Sequence, residues 1–196
     1  MIIGLIGFKQ VGKSTAGKYL EEKYSFIRHN MKDALVAEIK QNFPDLLKEI
    51  ADWYNSNLLA SATLGMKFLS IDDLFEVKPP LMRALLQNYG TEVRRGDNDN
   101  YWVEQWSRKI MDSTLVTGFN DKFVTDDVRF LNEASAIKDN DGILIRLTRP
   151  DITTGGSHAS ETEQLLIVAD YEIECKPGDH EHLYRELDKI VSKNTD

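Results

Sequence analysis

A chain of 196 residues with 41% hydrophobic and 29% charged side chains can build one core, with room for a small inserted subdomain. No apolar run reaches membrane-spanning length, and the opening Met1-Ile2-Ile3-Gly4-Leu5-Ile6 lacks a basic leader and runs straight into a motif, so it reads as a buried strand and not as a signal peptide. The net charge of −8 argues against a duplex-binding surface, although seven of the nine arginines lie between Arg83 and Arg149; the single cysteine, Cys175, permits no internal disulfide and fits a reducing cytoplasm.

The predicted elements alternate. A strand at 1–6 leads through a glycine loop into a helix from about Lys13 to Lys23, followed by a short strand at Ser25–Arg28. Leu35, Ile39 and Phe43 fall at i, i+4 and i+8 and predict a helix stopped by Pro44. Residues 45–78 hold apolar patches without one clear period and read as an inserted helical region. Pro79-Pro80 opens a helix through Leu81, Leu85 and Tyr89, with Gly90 as its end. A further helix carries Trp102, Trp106 and Ile110 on one face. Then come a strand at Lys122–Thr125, a helix at Asn132–Lys138, a strand at Gly142–Thr148, a polar loop with Gly155-Gly156, a strand at Tyr171–Glu174, and a last helix with Leu183, Leu187, Ile190 and Val191 on one side. The alternation predicts an α/β fold, a three-layer sandwich with a mostly parallel five-stranded sheet. Ligands bind outside the carboxyl ends of the strands in such sheets.

Gly7-Phe8-Lys9-Gln10-Val11-Gly12-Lys13-Ser14 matches G-x-x-x-x-G-K-[ST] in full, and it stands between a strand and a helix. The glycines let backbone N–H groups turn toward a phosphate, Lys13 reaches the β- and γ-phosphates of ATP, and Ser14 offers a hydroxyl to Mg2+. Gln10, Val11 and Gly12 supply the loop backbone. Thr15 either touches phosphate or serves only as a first-turn helix residue.

A P-loop alone does not separate a kinase from a GTPase or a motor. A monophosphate acceptor is already largely dianionic and needs cationic clamps more than a general base, which suits an arginine-dense chain. Asp126 and Asp127 follow the predicted strand and read either as a magnesium-holding acid or as a helix N-cap, with the metal role favoured for Asp127. Arg149 opens the glycine-containing loop as a candidate for the γ-phosphate, while Arg146 points either to phosphate or to solvent. His180 and His182 beside Cys175 read as a solvated helix start in preference to a metal site, because no fourth ligand appears.

Gly7 to Thr15, Lys32-Asp33-Ala34-Leu35, Arg83-Ala84-Leu85-Leu86-Gln87, Gly90-Thr91-Glu92, Tyr101-Trp102-Val103, Asp127 to Glu133, Arg149-Pro150 and His158-Ala159-Ser160-Glu161 occur in one order and spacing. In these motifs the chain resembles the phage deoxynucleoside monophosphate kinases, including those of T-even phages. The resemblance covers most of the chain except roughly 45–78. It implies an adenylate-kinase-like fold: one P-loop kinase domain over 1–196, with an acceptor-binding helical region at about 31–112 and a lid at 149–163. It implies a reaction that carries the γ-phosphate of ATP, with Mg2+, to a deoxynucleoside monophosphate. Lys9, Lys32, Arg83, Gln87, Gly90, Thr91, Arg95, Trp102, Asp127 and Arg129 would border the acceptor. Lys13, Arg129, Arg149 and Asp33 would act on the transferring phosphate; Asp33 equally suits the electrostatics of a helix start. No nucleic acid or membrane partner is implied, and a homodimer stays open. The family usually carries an Asn-Asp-Gly turn after the last strand, where this chain has Cys175-Lys176-Pro177-Gly178. Competing readings are a kinase for another phosphate-bearing acceptor such as dephospho-coenzyme A, and a nucleotide-dependent switch. The missing Asn-Lys-x-Asp motif and the arginine cluster speak against the switch.

Overall fold

Ile2–Ile6 forms strand β1, and every residue of it is buried. A strand whose two faces are both apolar needs a layer of helices on each side, and this sheet has both. The computed structural model describes residues 1–57, 62, 68–117, 121–152 and 162–195. Its elements are β1, α1 (Lys13–Tyr24), β2 (Ile27–Arg28), α2 (Met31–Asn42), α3 (Pro44–Ser56), α4 (Ile71–Val77), α5 (Pro80–Gln87), a π-helical segment (Asn88–Arg95), α6 (Tyr101–Thr117), β3 (Phe123–Val128), α7 (Leu131–Asp139), β4 (Ile143–Thr148), a 3-10 turn (Glu163–Leu166), β5 (Tyr171–Glu174) and α8 (His180–Lys193). The five strands lie in the order β2-β3-β1-β4-β5, and every pairing is parallel.

The chain divides into two compact units, Met1–Met31 with Val103–Asp196, and Lys32–Trp102. In the first unit, Ile3, Leu5, Val124, Ile145 and Leu147 face a core completed by Ala16 and Leu20 of α1 and by Leu183, Leu187, Ile190 and Val191 of α8. On the opposite face Ile2, Ile6, Val128 and Leu144 pack against Trp106 and Ile110 of α6 and Ala134 and Ile137 of α7. The result is a helix–sheet–helix sandwich with β1 at its centre.

The second unit is helical and has its own core. Leu47, Ile50, Ala51 and Tyr54 of α3 are buried at i, i+3, i+4 and i+7 and meet Leu69, Leu74, Phe75, Met82, Tyr89 and Trp102. A period therefore does exist in the stretch that reads as patternless, and Pro44, placed as a helix stop, is also the first residue of α3. Ser70 caps α4 through a reciprocal pair with Asp73, and the Asn55 amide grips both backbone groups of Leu69, at 2.7 and 3.0 Å.

Gly90 does not end a helix. The chain continues from α5 into the π-helical segment, and Gly90 is buried where a Cβ would lie 2.9 Å from Leu35 Cδ2. Its role is close approach and not termination. β3 also runs three residues beyond its predicted end at Thr125, because both aspartates are taken into the strand. Of the proposed lid, residues 153–161 lie outside the described residues. Among the described residues no helix is long and apolar enough to cross a membrane.

Candidate active site

β1 delivers the chain into the phosphate loop, where Gly7, Gln10 and Gly12 take φ of 142°, 70° and 107°. A side chain at Gly7 would collide with the Leu147 carbonyl oxygen of the neighbouring strand, so position 7 accepts glycine only. Val11 is sunk in the core and anchors the loop from beneath. Lys13 Nζ donates to the carbonyls of Gly7 and Phe8, at 2.7 Å to the latter, and so bridges the loop. Ser14 and Thr15 occupy the first turn of α1, where backbone N–H groups lack helical acceptors and favour an anion. Lys9 and Gln10 are exposed.

From Ser14 and Thr15 a groove of about 460 Å³ continues past Lys18 and Tyr19 to His180 and Tyr184 of α8. Tyr19 and Tyr184 stack with centroids 3.9 Å apart and ring planes 5° from parallel. Behind them, Asp188 accepts the hydroxyls of Tyr19 and Tyr24 at 2.7 Å and the ammonium of Lys23 at 2.8 Å. Burial pushes the Asp188 carboxyl up, but these donors together outweigh it and hold the group below the usual carboxylate range. His180 opens α8 and the Asp179 side chain caps it by accepting from the His182 N–H at 3.1 Å, which is the helix-start reading of this histidine pair.

The carboxyl end of β3 carries two buried carboxylates. Gly4 pairs with Thr125 but Ile6 pairs with Val128, so β3 holds one extra residue at this step. Asp126 turns toward α1, ion-pairs with Arg28 and packs against Gly17, while its N–H donates to Asn30 Oδ1 at 2.8 Å. Asp127 Oδ1 accepts the Met31 N–H at 3.0 Å. Neither aspartate caps the following helix: Phe130 stands at that position, and the buried Glu133 reaches back to accept the N–H groups of Arg129 at 2.8 Å and Phe130 at 3.2 Å. Glu133 thus holds the backbone of Arg129, whose own side chain is exposed.

Arg146 takes neither direction considered for it. Its guanidinium donates to the Gln164 and Ile167 carbonyls at 3.2 and 2.5 Å and ties the 3-10 turn to β4. Arg149 lies against the phosphate loop and donates from Nη1 to the Gln10 carbonyl at 2.9 Å, while Asp151 accepts from Nε at 3.0 Å and Nη2 at 2.5 Å. β1, β3 and β4 are neighbours in the sheet, so the loop, the β3 carboxylates and Arg149 all issue from adjacent strand ends.

No family model matches the chain. A protein of Acanthamoeba polyphaga mimivirus named "Putative deoxynucleotide monophosphate kinase" is 32% identical over 184 residues, covering 88% of this chain and 86% of the relative. The chain belongs to the deoxynucleotide monophosphate kinase family. The relative comes from a mimivirus and not from a T-even phage, so the affiliation stands at the level of this nucleotide-kinase family as a whole.

The candidate residues of the helical unit sit as follows. Lys32 and Asp33 lie in the first turn of α2. Arg83 and Gln87 are one turn apart on the exposed side of α5. Gly90, Thr91 and Arg95 belong to the π-helical segment, with Arg95 buried. Trp102 is buried and donates its indole N–H to the Gly90 carbonyl at 2.8 Å. Trp106, in the sheet unit, spends its indole N–H on Thr125 Oγ1 at 3.0 Å and is a core residue. A cluster on Glu38 pins the π-helical segment: Glu38 accepts from Tyr89, Arg94 and Tyr101, with the hydroxyls at 2.8 and 3.1 Å. Its members are scattered from 38 to 101, and no local spacing signals it.

Proposed function

We propose that this kinase transfers the γ-phosphoryl group of ATP to a deoxynucleoside monophosphate and yields ADP and the deoxynucleoside diphosphate. One observation carries the reading: a complete phosphate-loop motif has an arginine from the turn after β4 seated on its Gln10 carbonyl, in a member of this family. The loop N–H groups and the first turn of α1 hold the β- and γ-phosphates, and Lys13 moves its ammonium from the Gly7 and Phe8 carbonyls to the phosphate oxygens. An oxygen of the acceptor phosphate, already anionic, attacks the γ-phosphorus while the bond to the β-phosphate oxygen breaks. No proton has to be removed, so positioned cations do the work. In the sheet unit Arg149 meets the transferring group, and Arg129, Lys9 and Asp127 are assigned to the acceptor. In the helical unit, taken by itself, Arg83 is the cation assigned to the acceptor phosphate, and Lys32, Asp33, Gln87, Gly90, Thr91, Arg95 and Trp102 are assigned to acceptor binding. We place the donor nucleoside in the groove of His180 and Tyr184.

Ser14 and Asp127 offer the hard oxygen donors that suit magnesium, and among the described residues no group of three or more His, Cys, Asp or Glu side chains gathers as a metal site. Bound there, Mg2+ would neutralise charge on the β- and γ-phosphates. A coupled ADP-release assay with ATP, Mg2+ and each common nucleoside and deoxynucleoside monophosphate tests the proposal, with dephospho-coenzyme A as a further acceptor. Turnover confined to dephospho-coenzyme A, or ATP hydrolysis indifferent to any acceptor, refutes it.

A further inference from the structure

Arg149-Pro150-Asp151-Ile152 is a tight turn closed by the Ile152 N–H on the Arg149 carbonyl at 3.0 Å, with proline at its second position. The turn folds Asp151 back onto the guanidinium of Arg149. The carboxylate takes Nε and Nη2 together, at 3.0 and 2.5 Å, along one edge of the guanidinium plane. That contact fixes the rotation of the plane and directs Nη1 to the Gln10 carbonyl at 2.9 Å. Gln10 is a non-glycine residue at a positive φ of 70°, so its peptide orientation is unusual and forms part of the phosphate-binding curl. All three residues lie in the sheet unit. Arg149 holds the Asp151 carboxyl below the usual carboxylate range.

We infer that Asp151 is a positioning residue for phosphoryl transfer: it clamps the Arg149 guanidinium against the phosphate loop so that the remaining N–H groups face the transferring phosphate. It touches no substrate. It also subtracts charge from the site, so its removal has two opposed effects. The guanidinium loses its fixed plane, which weakens transition-state contacts. The local field becomes more positive, which favours binding of the ATP polyanion in the ground state. The signature is therefore a fall in kcat without a rise in the KM for ATP, whereas general loosening of the loop would raise KM.

The inference rests on the assignment of Arg149 to phosphate, and a double-mutant cycle tests it. Asp151→Asn should lower kcat about ten- to a hundredfold, with an ATP dissociation constant, measured by calorimetry with Mg2+, equal to or tighter than that of the wild type. Asp151→Glu should recover part of the loss. Arg149→Ala with Asp151→Asn should fall within about twofold of Arg149→Ala alone, because Asp151 has nothing left to position. Losses that multiply across the two positions, or wild-type kcat in Asp151→Asn, overturn the inference. Asp151 is half-exposed on a surface turn, and melting curves of each variant verify the fold. If the wild type phosphorylates no monophosphate, the proposed function fails, and the cycle is then read from ATP affinity: Asp151→Asn must bind no more weakly than the wild type while Arg149→Ala binds more weakly. If transfer is present and the cycle is additive, only the role of Asp151 fails.

Discussion

Lys13→Ala separates the chemistry of the phosphate loop from its folding. In the structure the ammonium bridges the carbonyls of Gly7 and Phe8, so its removal leaves two loop carbonyls without a charged donor. Both residues are only half-buried and water can replace the lost donor, so the expected stability loss is about 1–2 kcal/mol, a small part of a typical domain's total. For a chain of this length that is a melting shift of roughly 2–8 °C. The loop itself keeps its shape, because Val11 remains in the core and the Gly7 conformation is set by the Leu147 carbonyl. Loss of one preorganised charge at a developing anion costs about 3–4 kcal/mol of transition-state stabilisation, a few hundredfold in rate. The assay is steady-state ADP release with saturating deoxynucleoside monophosphate, run beside circular dichroism and a thermal melt, with Lys13→Met as a variant that keeps the aliphatic stem. A folded Lys13→Ala protein that turns over within about tenfold of wild type refutes the role of the loop.

Three further outcomes are expected. Arg83→Ala and Arg129→Ala should each raise the KM for the monophosphate by about ten- to a hundredfold and leave the KM for ATP near wild type, since each loses a charge-assisted contact; movement of the ATP constant alone would reverse the placement. Glu133→Gln weakens two charge-assisted bonds to the Arg129 and Phe130 N–H groups, so urea denaturation should show about 1–3 kcal/mol lost together with a lower kcat, and unchanged values of both would deny Glu133 its hold on Arg129. Asp188→Asn should cost about 1–2 kcal/mol at pH 7. Because the folded pKa of Asp188 is depressed, its contribution is present above the unfolded carboxylate value of about 3.9 and is lost as pH falls through the folded value, so the gap between variant and wild type must close below about pH 4; a gap constant with pH would contradict it.

The sheet was legible because its strands obey local rules. Ile2–Ile6 is buried on both faces and needs no partner information to be read, and Tyr171–Glu174 and the last helix fall where the pattern put them. The helical unit was legible only in part. Its α3 stripe, Leu47, Ile50, Ala51 and Tyr54, has helical spacing, yet exposed Leu46 and Trp53 interrupt it and blur the period. Gly90 shows a deeper limit. A glycine after a helical run has two uses, termination and close approach, and the choice lies with Leu35, more than fifty residues away in sequence.

The candidate site divides along the same line. The segment Gly7–Ser14 could be read as a motif because its glycines, lysine and serine stand in one continuous stretch between a strand and a helix, and the structure gives that stretch positive φ at Gly7, Gln10 and Gly12. The carboxylates could not, because their roles depend on a one-residue irregularity in the pairing of β1 with β3 that sends Asp126 to Arg28 and Asp127 to the Met31 N–H. Arg146 and Arg149, three residues apart at the end of one strand, make the point sharpest. Alternation leaves Arg146 a choice between phosphate and solvent, while its place at the opening of the loop makes Arg149 a candidate for phosphate. In the folded chain Arg146 is consumed by the carbonyls of Gln164 and Ile167, and Arg149 is delivered to Gln10 by a turn whose proline and aspartate follow it directly. An arginine's meaning is set by the acceptors that reach it first. For Arg149 that acceptor was two residues away in plain view, and the signal to read was Arg149-Pro150-Asp151 as a unit, a turn that supplies its own arginine clamp.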